Sequence, residues 1–213
     1  MNAIRKVTAF VMRDSGPNPE LLLFKHPHAG VQITAGTVNI NESPEDAVLR
    51  EVHEETGLVN SSIVKCLGIQ DEQLPENTRF ITNTTKVYAR PDKSSFDWAY
   101  LRPGIVVKIE RRAKDFCQII YQEYDQVPHP AYETMVIKGW VPEGVLADTS
   151  HRSFYLINSL DATEDRWAHF ADNHTFTLFW VSLNNIPKII SPQDTWLVFL
   201  AKAYPQLMQR STE

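Results

Sequence analysis

The chain has 213 residues, 43% hydrophobic and 22% charged, with a formal net charge of −5. That is enough apolar material for one large domain and too much for global disorder. No cluster of Lys and Arg argues for an extended nucleic-acid footprint, and no apolar run reaches the roughly 18 residues of a membrane span.

Cys66 and Cys117 lack CxxC spacing and lie in apolar contexts, IVKCLGI and KDFCQII, so both are expected to be reduced core thiols. The start MNAIRKVTAFVMRD meets charge too soon for a signal peptide, which makes the cytoplasm the expected compartment.

In chain order, KVTAFVMRD (6–14) and LLLFKH (21–26) read as strands around the turn cluster SGPNPE. VQITAGTV (31–38) reads as a third strand, ending at Gly36. A helix over 44–56 is punctuated at both ends. Ser43 suits the N-cap, Pro44 the first helical position, and Asp46 closes a capping box with the shorter acid. Gly57 suits the stop.

SSIVKCLGI (61–69) and TTKVYARP (84–91) read as further strands. VVKIERR (106–112) with FCQIIYQEYD (116–125) predicts one hairpin, and ETMVIKGWV (133–141) with RSFYLIN (152–158) another. HTFTLFWVSL (174–183) is a strong strand. SPQDTWLVFLAKAYPQL (191–207) predicts a closing amphipathic helix capped by Ser191.

The helix at 44–56 raises the functional question. Glu42, Glu45, Asp46, Glu51, Glu54 and Glu55 crowd around it, opposed by Arg50 and the titratable His53. Glu51, Glu54 and Glu55 share one helix face at i, i+3 and i+4. Each like-charge pair at that spacing costs an isolated helix about 0.2–0.5 kcal/mol. One arginine cannot neutralise the group. Acid-rich helix faces are most often simply solvated; the sharper reading is a hard divalent cation such as Mg²⁺ or Mn²⁺, which takes oxygen ligands.

The frame around the acids favours the cation. Gly36, Glu42, Arg50, Glu51, Val52, Glu54, Glu55, Gly57 and Leu58 fill every fixed position of G-x5-E-x7-R-E-U-x-E-E-x-G-U, where U is aliphatic. This resembles the Nudix box. The approach LLLFKHP to QITAGTV, and the closing DRWAHFADNHTFTLFWVSL with the 191–207 helix, are similar to the flanks of a Nudix domain.

The resemblance implies an α/β/α sandwich around a mixed sheet: a single Nudix domain over 1–213, with a β-rich insertion at about 92–160. It implies metal-dependent hydrolysis of a phosphoanhydride in a nucleoside diphosphate linked to another moiety. Glu51, Glu54 and Glu55 would bind Mg²⁺ or Mn²⁺, and Glu54 or an acid outside the box would activate water. Arg50 would brace the carboxylates, and Glu42 would be a supporting or alternative base. The partner would be a small nucleoside diphosphate derivative, with no membrane or extended nucleic acid, and members of the family are often homodimers.

Asn39, Asn41 and Ala35 depart from residues common in the family. Asn tolerates left-handed backbone, so Asn41 can replace a turn glycine. Outside the box, Lys25, His26, His28, Arg79 and Lys86 are candidate phosphate contacts. Glu72, Glu110, Glu123 and Glu133 are candidates for one more metal-binding acid. Phe80, Trp98, Tyr100, Tyr121 and Trp140 are candidates for base stacking, and Trp167, His169 and His174 for pocket lining. For each of these, solvation or packing is the commoner role. Two other readings compete: a non-catalytic nucleotide-sensing module, and an allylic diphosphate isomerase, which would need a reactive cysteine.

Overall fold

The structure, a computed structural model, describes residues 3–13 and 18–205. Asp14, the SGP of the first linker and the Gln206–Leu207 end of the predicted closing helix lie outside that range.

The strands are β1 (Ala3–Arg13), β2 (Glu20–His26), β3 (Gly30–Gln32) and β4 (Ala35–Thr37), followed by the helix α1 (Pro44–Thr56). Next come β5 (Ser61–Gln73), β6 (Thr78–Ile81), β7 (Thr85–Tyr88), β8 (Asp97–Leu101), β9 (Val106–Ala113), β10 (Phe116–Tyr124) and β11 (Glu133–Pro142). The chain continues through β12 (Leu146–Ala147), β13 (Thr149–Ser159), β14 (Arg166–Ala171), β15 (His174–Ser182) and the short helix α2 (Leu197–Ala201).

Two compact units result. One comprises Lys6–Ile69 with Ser153–Glu213, the other Met1–Arg5 with Gln70–Arg152.

The first unit holds a sheet in the order β14-β15-β2-β1-β13-β5, with β3 on β2 and β4 on β1. Its central strands are apolar almost residue after residue, because both faces are covered. On one face Val7, Ala9, Val11, Leu22, Phe24, Tyr155, Ile157 and Leu178 pack with Ala47, Val48 and Val52 of α1. On the other Phe10, Met12, Leu21, Leu23, Phe154 and Leu156 pack with Trp196, Phe199 and Leu200. The alternation of the two sets along β1, β2 and β13 is the period-two pleat, and the layering is α/β/α.

The second unit is a sheet in the order β12-β6-β9-β10-β11-β7-β8. Ile81, Val87, Leu101, Val107, Cys117, Ile119, Ile137 and Val141 form its main core. Its entry and exit meet: the Leu74 N–H donates to the Asp148 carbonyl at 2.8 Å.

Several sequence expectations change here. The strand over 31–38 is two strands, because the segment leaves β2 to pair with β1, placing Val7 opposite Gly36. The hairpin of 133–141 with 152–158 does not form. β11 pairs with β10 and β7, whereas β13 joins the other sheet. The 106–112 and 116–125 hairpin does form, as β9 with β10. The closing helix is a 3-10 turn over Gln193–Trp196 running into only five α residues. Pro205 accounts for the stop, since its ring opposes the Ala201 carbonyl and it disfavours helix at Tyr204. Ser191 makes no cap there. Cys117 is buried but Cys66, on the terminal strand β5, is exposed.

Candidate active site

The site is built on α1, whose ends are fixed as its sequence predicts. The Ser43 hydroxyl accepts from the Asp46 N–H, and Gly57 closes the helix at φ 79°, its N–H donating to the His53 carbonyl at 2.9 Å. Asn41 adopts φ 64°, the left-handed conformation its side chain tolerates. Val48 and Val52 anchor the buried side in the core, which turns the acidic side towards β4 and the β14–β15 turn.

Arg50 organises the acids. Its Nε donates to Glu42 Oε1 at 2.8 Å and its Nη2 to Glu42 Oε2 at 3.1 Å, a bidentate pair. Nη1 donates to Glu51 Oε1 at 2.9 Å and to Glu54 Oε2 at 2.8 Å, and Nη2 also reaches the Thr37 carbonyl at 3.0 Å. The hydrogen bond to Glu42 is the main reason the guanidinium is held above its already high pKa, against the effect of burial. Glu42 itself is the anchor for Arg50 and for the Asn39 N–H at 2.8 Å.

Glu51 lies against Gly36. A Cβ at position 36 would stand 1.9 Å from Glu51 Cδ, so only glycine leaves the carboxylate its seat. Burial raises the Glu51 pKa, and the Arg50 charge opposes that. Glu55 accepts from the Ala35 N–H at 3.1 Å. Burial pushes its carboxyl well above the usual range, the Glu51 charge adds to this, and the Ala35 N–H opposes it.

Glu51, Glu54, Glu55, Ala171 and Asp172 line an open pocket of about 390 Å³. Asp172 escaped the sequence reading. It occupies the two-residue turn between β14 and β15, with φ 48° at Asp172 and 61° at Asn173. Those angles are the mark of a tight hairpin turn, and "DN" between two alternating runs was the available signal. Glu72, Glu110, Glu123 and Glu133, the acids considered instead, belong to the other unit.

The remaining candidates divide. Trp167 Nε1–H donates to the Thr56 carbonyl at 3.1 Å, and His169 Nε2 lies 2.9 Å from the Glu54 carbonyl, so both satisfy the end of α1. His26, His28 and His174 converge on one another. Lys25 is exposed. Arg79, Lys86, Phe80, Trp98, Tyr100, Tyr121 and Trp140 lie in the other unit, where Phe80 and Trp140 are buried. Lys86 pairs there with Asp97.

With side chains as they stand, no three His, Cys, Asp or Glu residues among those described are arranged to hold a metal ion. Arg50 instead takes up oxygens of Glu51 and Glu54. The donor set nevertheless suits a hard cation. It is entirely carboxylate, half-buried in part, and carries more negative charge than one arginine offsets.

A strand-rich α/β/α unit with an arginine-braced glutamate helix at a pocket is the architecture of a Nudix domain. Residues 3–103 match the family described as NUDIX domain. The chain is also 28% identical over 121 residues to "Putative nudix hydrolase 1" of Caenorhabditis elegans, across 53% of this chain and 33% of that protein. It therefore matches about a third of that relative's length. The complete box at 36–58 lies inside the matched segment, so residues 3–103 are similar to a Nudix domain in both motif and fold. Among the described residues, no helix is long and apolar enough to cross a membrane.

Proposed function

We propose that the chain is a pyrophosphohydrolase that uses Mg²⁺ or Mn²⁺ to cleave the phosphoanhydride of a nucleoside diphosphate linked to another moiety, by attack of water on phosphorus. The observation that carries this is the gathering of Glu51, Glu54, Glu55 and Asp172 around one pocket, with Arg50 bracing two of them.

Glu51, Glu54 and Glu55 would hold the cation, which supplies charge neutralisation at the phosphate and a water of lowered pKa. Glu54 has the most exposed carboxylate of the braced set, with 54% of its side chain accessible, which suits it to take the proton of the attacking water. Arg50 keeps the carboxylates aligned, and Glu42 keeps Arg50 aligned. Gly36 lets Glu51 approach the β4 backbone. A single Nudix domain over 1–213 would carry an elaboration, expected at about 92–160 and drawn at 70–152 because β13 joins the sheet of the first unit and Leu74 meets Asp148. The enzyme would be cytoplasmic and would act as a homodimer, as family members often do, to be measured by fractionation and by sedimentation.

The test is a panel of nucleotides, dinucleotides, ADP-ribose and nucleotide sugars with Mg²⁺ or Mn²⁺, run beside Glu54→Gln. Turnover that falls at least about a hundredfold in the variant, with the fold unchanged, supports the reading. Thermal stabilisation by a nucleotide with no cleavage across the panel would replace it with a sensing role.

A further inference from the structure

Three imidazoles meet beside the carboxylate pocket. The His26 and His174 ring centroids are 4.7 Å apart, those of His28 and His174 5.8 Å, and those of His26 and His28 6.0 Å. They come from two separate places, the end of β2 with its following turn and the first residue of β15. His26 also rests on Phe176 at 5.4 Å, and Phe176 stacks on Phe24 at 4.7 Å, so the rings stand on the core face that α1 covers.

The tight turn at Asp172 and Asn173 ties this cluster to the pocket. Asp172 lines the pocket and His174 belongs to the cluster. Two residues of chain separate their Cα atoms by no more than about 7 Å. Asp172 also acts on His26 through its charge, so the cluster adjoins the rim of the pocket on the Asp172 side.

The hydrogen bonding sets what the cluster offers. The His28 backbone N–H donates to His26 Nδ1 at 3.0 Å. With Nδ1 accepting, the neutral His26 ring carries its proton on Nε2 and presents a donor. That tautomer has no lone pair on Nε2 for a metal, and no metal-holding group is found among the described residues. His28 is exposed and His26 and His174 are half-buried, so the cluster is open to solvent. Four of the five residues lining the pocket are acids, which repel a polyphosphate wherever no cation intervenes. A phosphate beyond the cation's reach needs N–H donors, and these rings are the donors at hand.

We propose that His26, His28 and His174 form an anion subsite that receives a phosphoryl group of the substrate beyond the bond that is cleaved. The inference rests on the pyrophosphohydrolase reading and narrows its substrate class to nucleotides carrying such an extra phosphate. Asp172 and His26 are charge-coupled: burial lowers the His26 pKa, the His174 and His28 charges lower it further, and Asp172 opposes them.

Two measurements separate this subsite from the parent reading. In the first, the metal-free protein is titrated with inorganic pyrophosphate while the imidazole ¹⁵N resonances are followed by NMR. Saturable shifts of His26, His28 and His174, with those of His26 and His28 weakened at least about tenfold in apparent affinity in His174→Ala and less in His174→Gln, support the subsite, whether or not any substrate turns over. No saturable shift overturns it. In the second, kcat and KM are measured for a nucleoside triphosphate and for the diphosphate of the same nucleoside. His174→Ala should raise KM about tenfold or more for the triphosphate alone, the loss expected for one charge-assisted hydrogen bond, with kcat within about threefold. His174→Gln, which keeps a donor, should recover part of that. Equal losses on both nucleotides, or none on either, would assign the cluster to packing.

Discussion

Replacing Gly36 with Ala tests the geometry at its tightest point. The added Cβ would lie 1.9 Å from both Cδ and Oε1 of Glu51 and 2.4 Å from Oε2. Carbon atoms in contact settle near 3.5–4.0 Å, so the carboxylate must move by about 1.5 Å or more. That displacement breaks the 2.9 Å bond from Arg50 Nη1 and carries Glu51 out of the pocket lining. A misplacement of about 1 Å at a reacting centre costs on the order of a hundredfold in rate. The fold should hardly notice. Losing one ion pair whose side chains are 26% and 13% exposed costs on the order of 1–2 kcal/mol, and replacing glycine stabilises by about 0.4–1 kcal/mol through the unfolded chain, which offsets part of it. The expectation is kcat/KM down at least about a hundredfold with Tm within about 3 °C of the parent. Steady-state kinetics on whichever substrate the panel identifies, with calorimetry alongside, measures both. A variant that keeps kcat/KM within threefold would show that the Glu51 seat is irrelevant to the chemistry.

Two further outcomes follow from the charges. Arg50→Ala should lower Tm by about 4–8 °C. Leaving Glu42 and Glu51 without their cation costs about 2 kcal/mol after allowance for the 26% exposure of the arginine side chain, and saturating Mg²⁺ should restore part of the loss. An unchanged Tm would mean the bracing contributes nothing. The second concerns pH. Glu51 and Glu55 titrate above 4.5 in the folded protein, so the fold binds more protons than the unfolded chain between that value and the raised ones. Their contribution is therefore most favourable below about 4.5 and is lost as pH rises through the raised values. Without metal, Tm should fall more from pH 5.5 to 8 than it does in Glu55→Gln, and the Mg²⁺-induced rise in Tm should be larger at pH 8. Parallel curves for the two proteins would refute the assignment.

What the sequence disclosed was local. Ser43, Asp46 and Gly57 mark α1 because caps are decided within a turn of chain, and the i, i+3, i+4 placement of Glu51, Glu54 and Glu55 follows from helix geometry alone. The strands β1, β2 and β15 were legible because a strand covered on both faces reads as a continuous apolar run. Partnership was not legible. Nothing in RSFYLIN distinguishes a strand that follows β11 into one sheet from one that inserts between β1 and β5 in another. Asp172 was missed for the same reason. It reaches the pocket only because β14 packs beside α1, and a single exposed aspartate carries no mark of that. The cut in the closing helix was readable from Pro205, whose effect on the residue before it is local.

The bond between Leu74 and Asp148 gives the stretch 75–147 an unusual freedom. A detour whose two ends meet can be lengthened, trimmed or exchanged while β5 and β13 stay neighbours, and the entropy of closing it grows only with the logarithm of its length. Chains that differ greatly there can thus keep one strand frame, and a graft that replaces the detour by a short turn should leave the strand order intact.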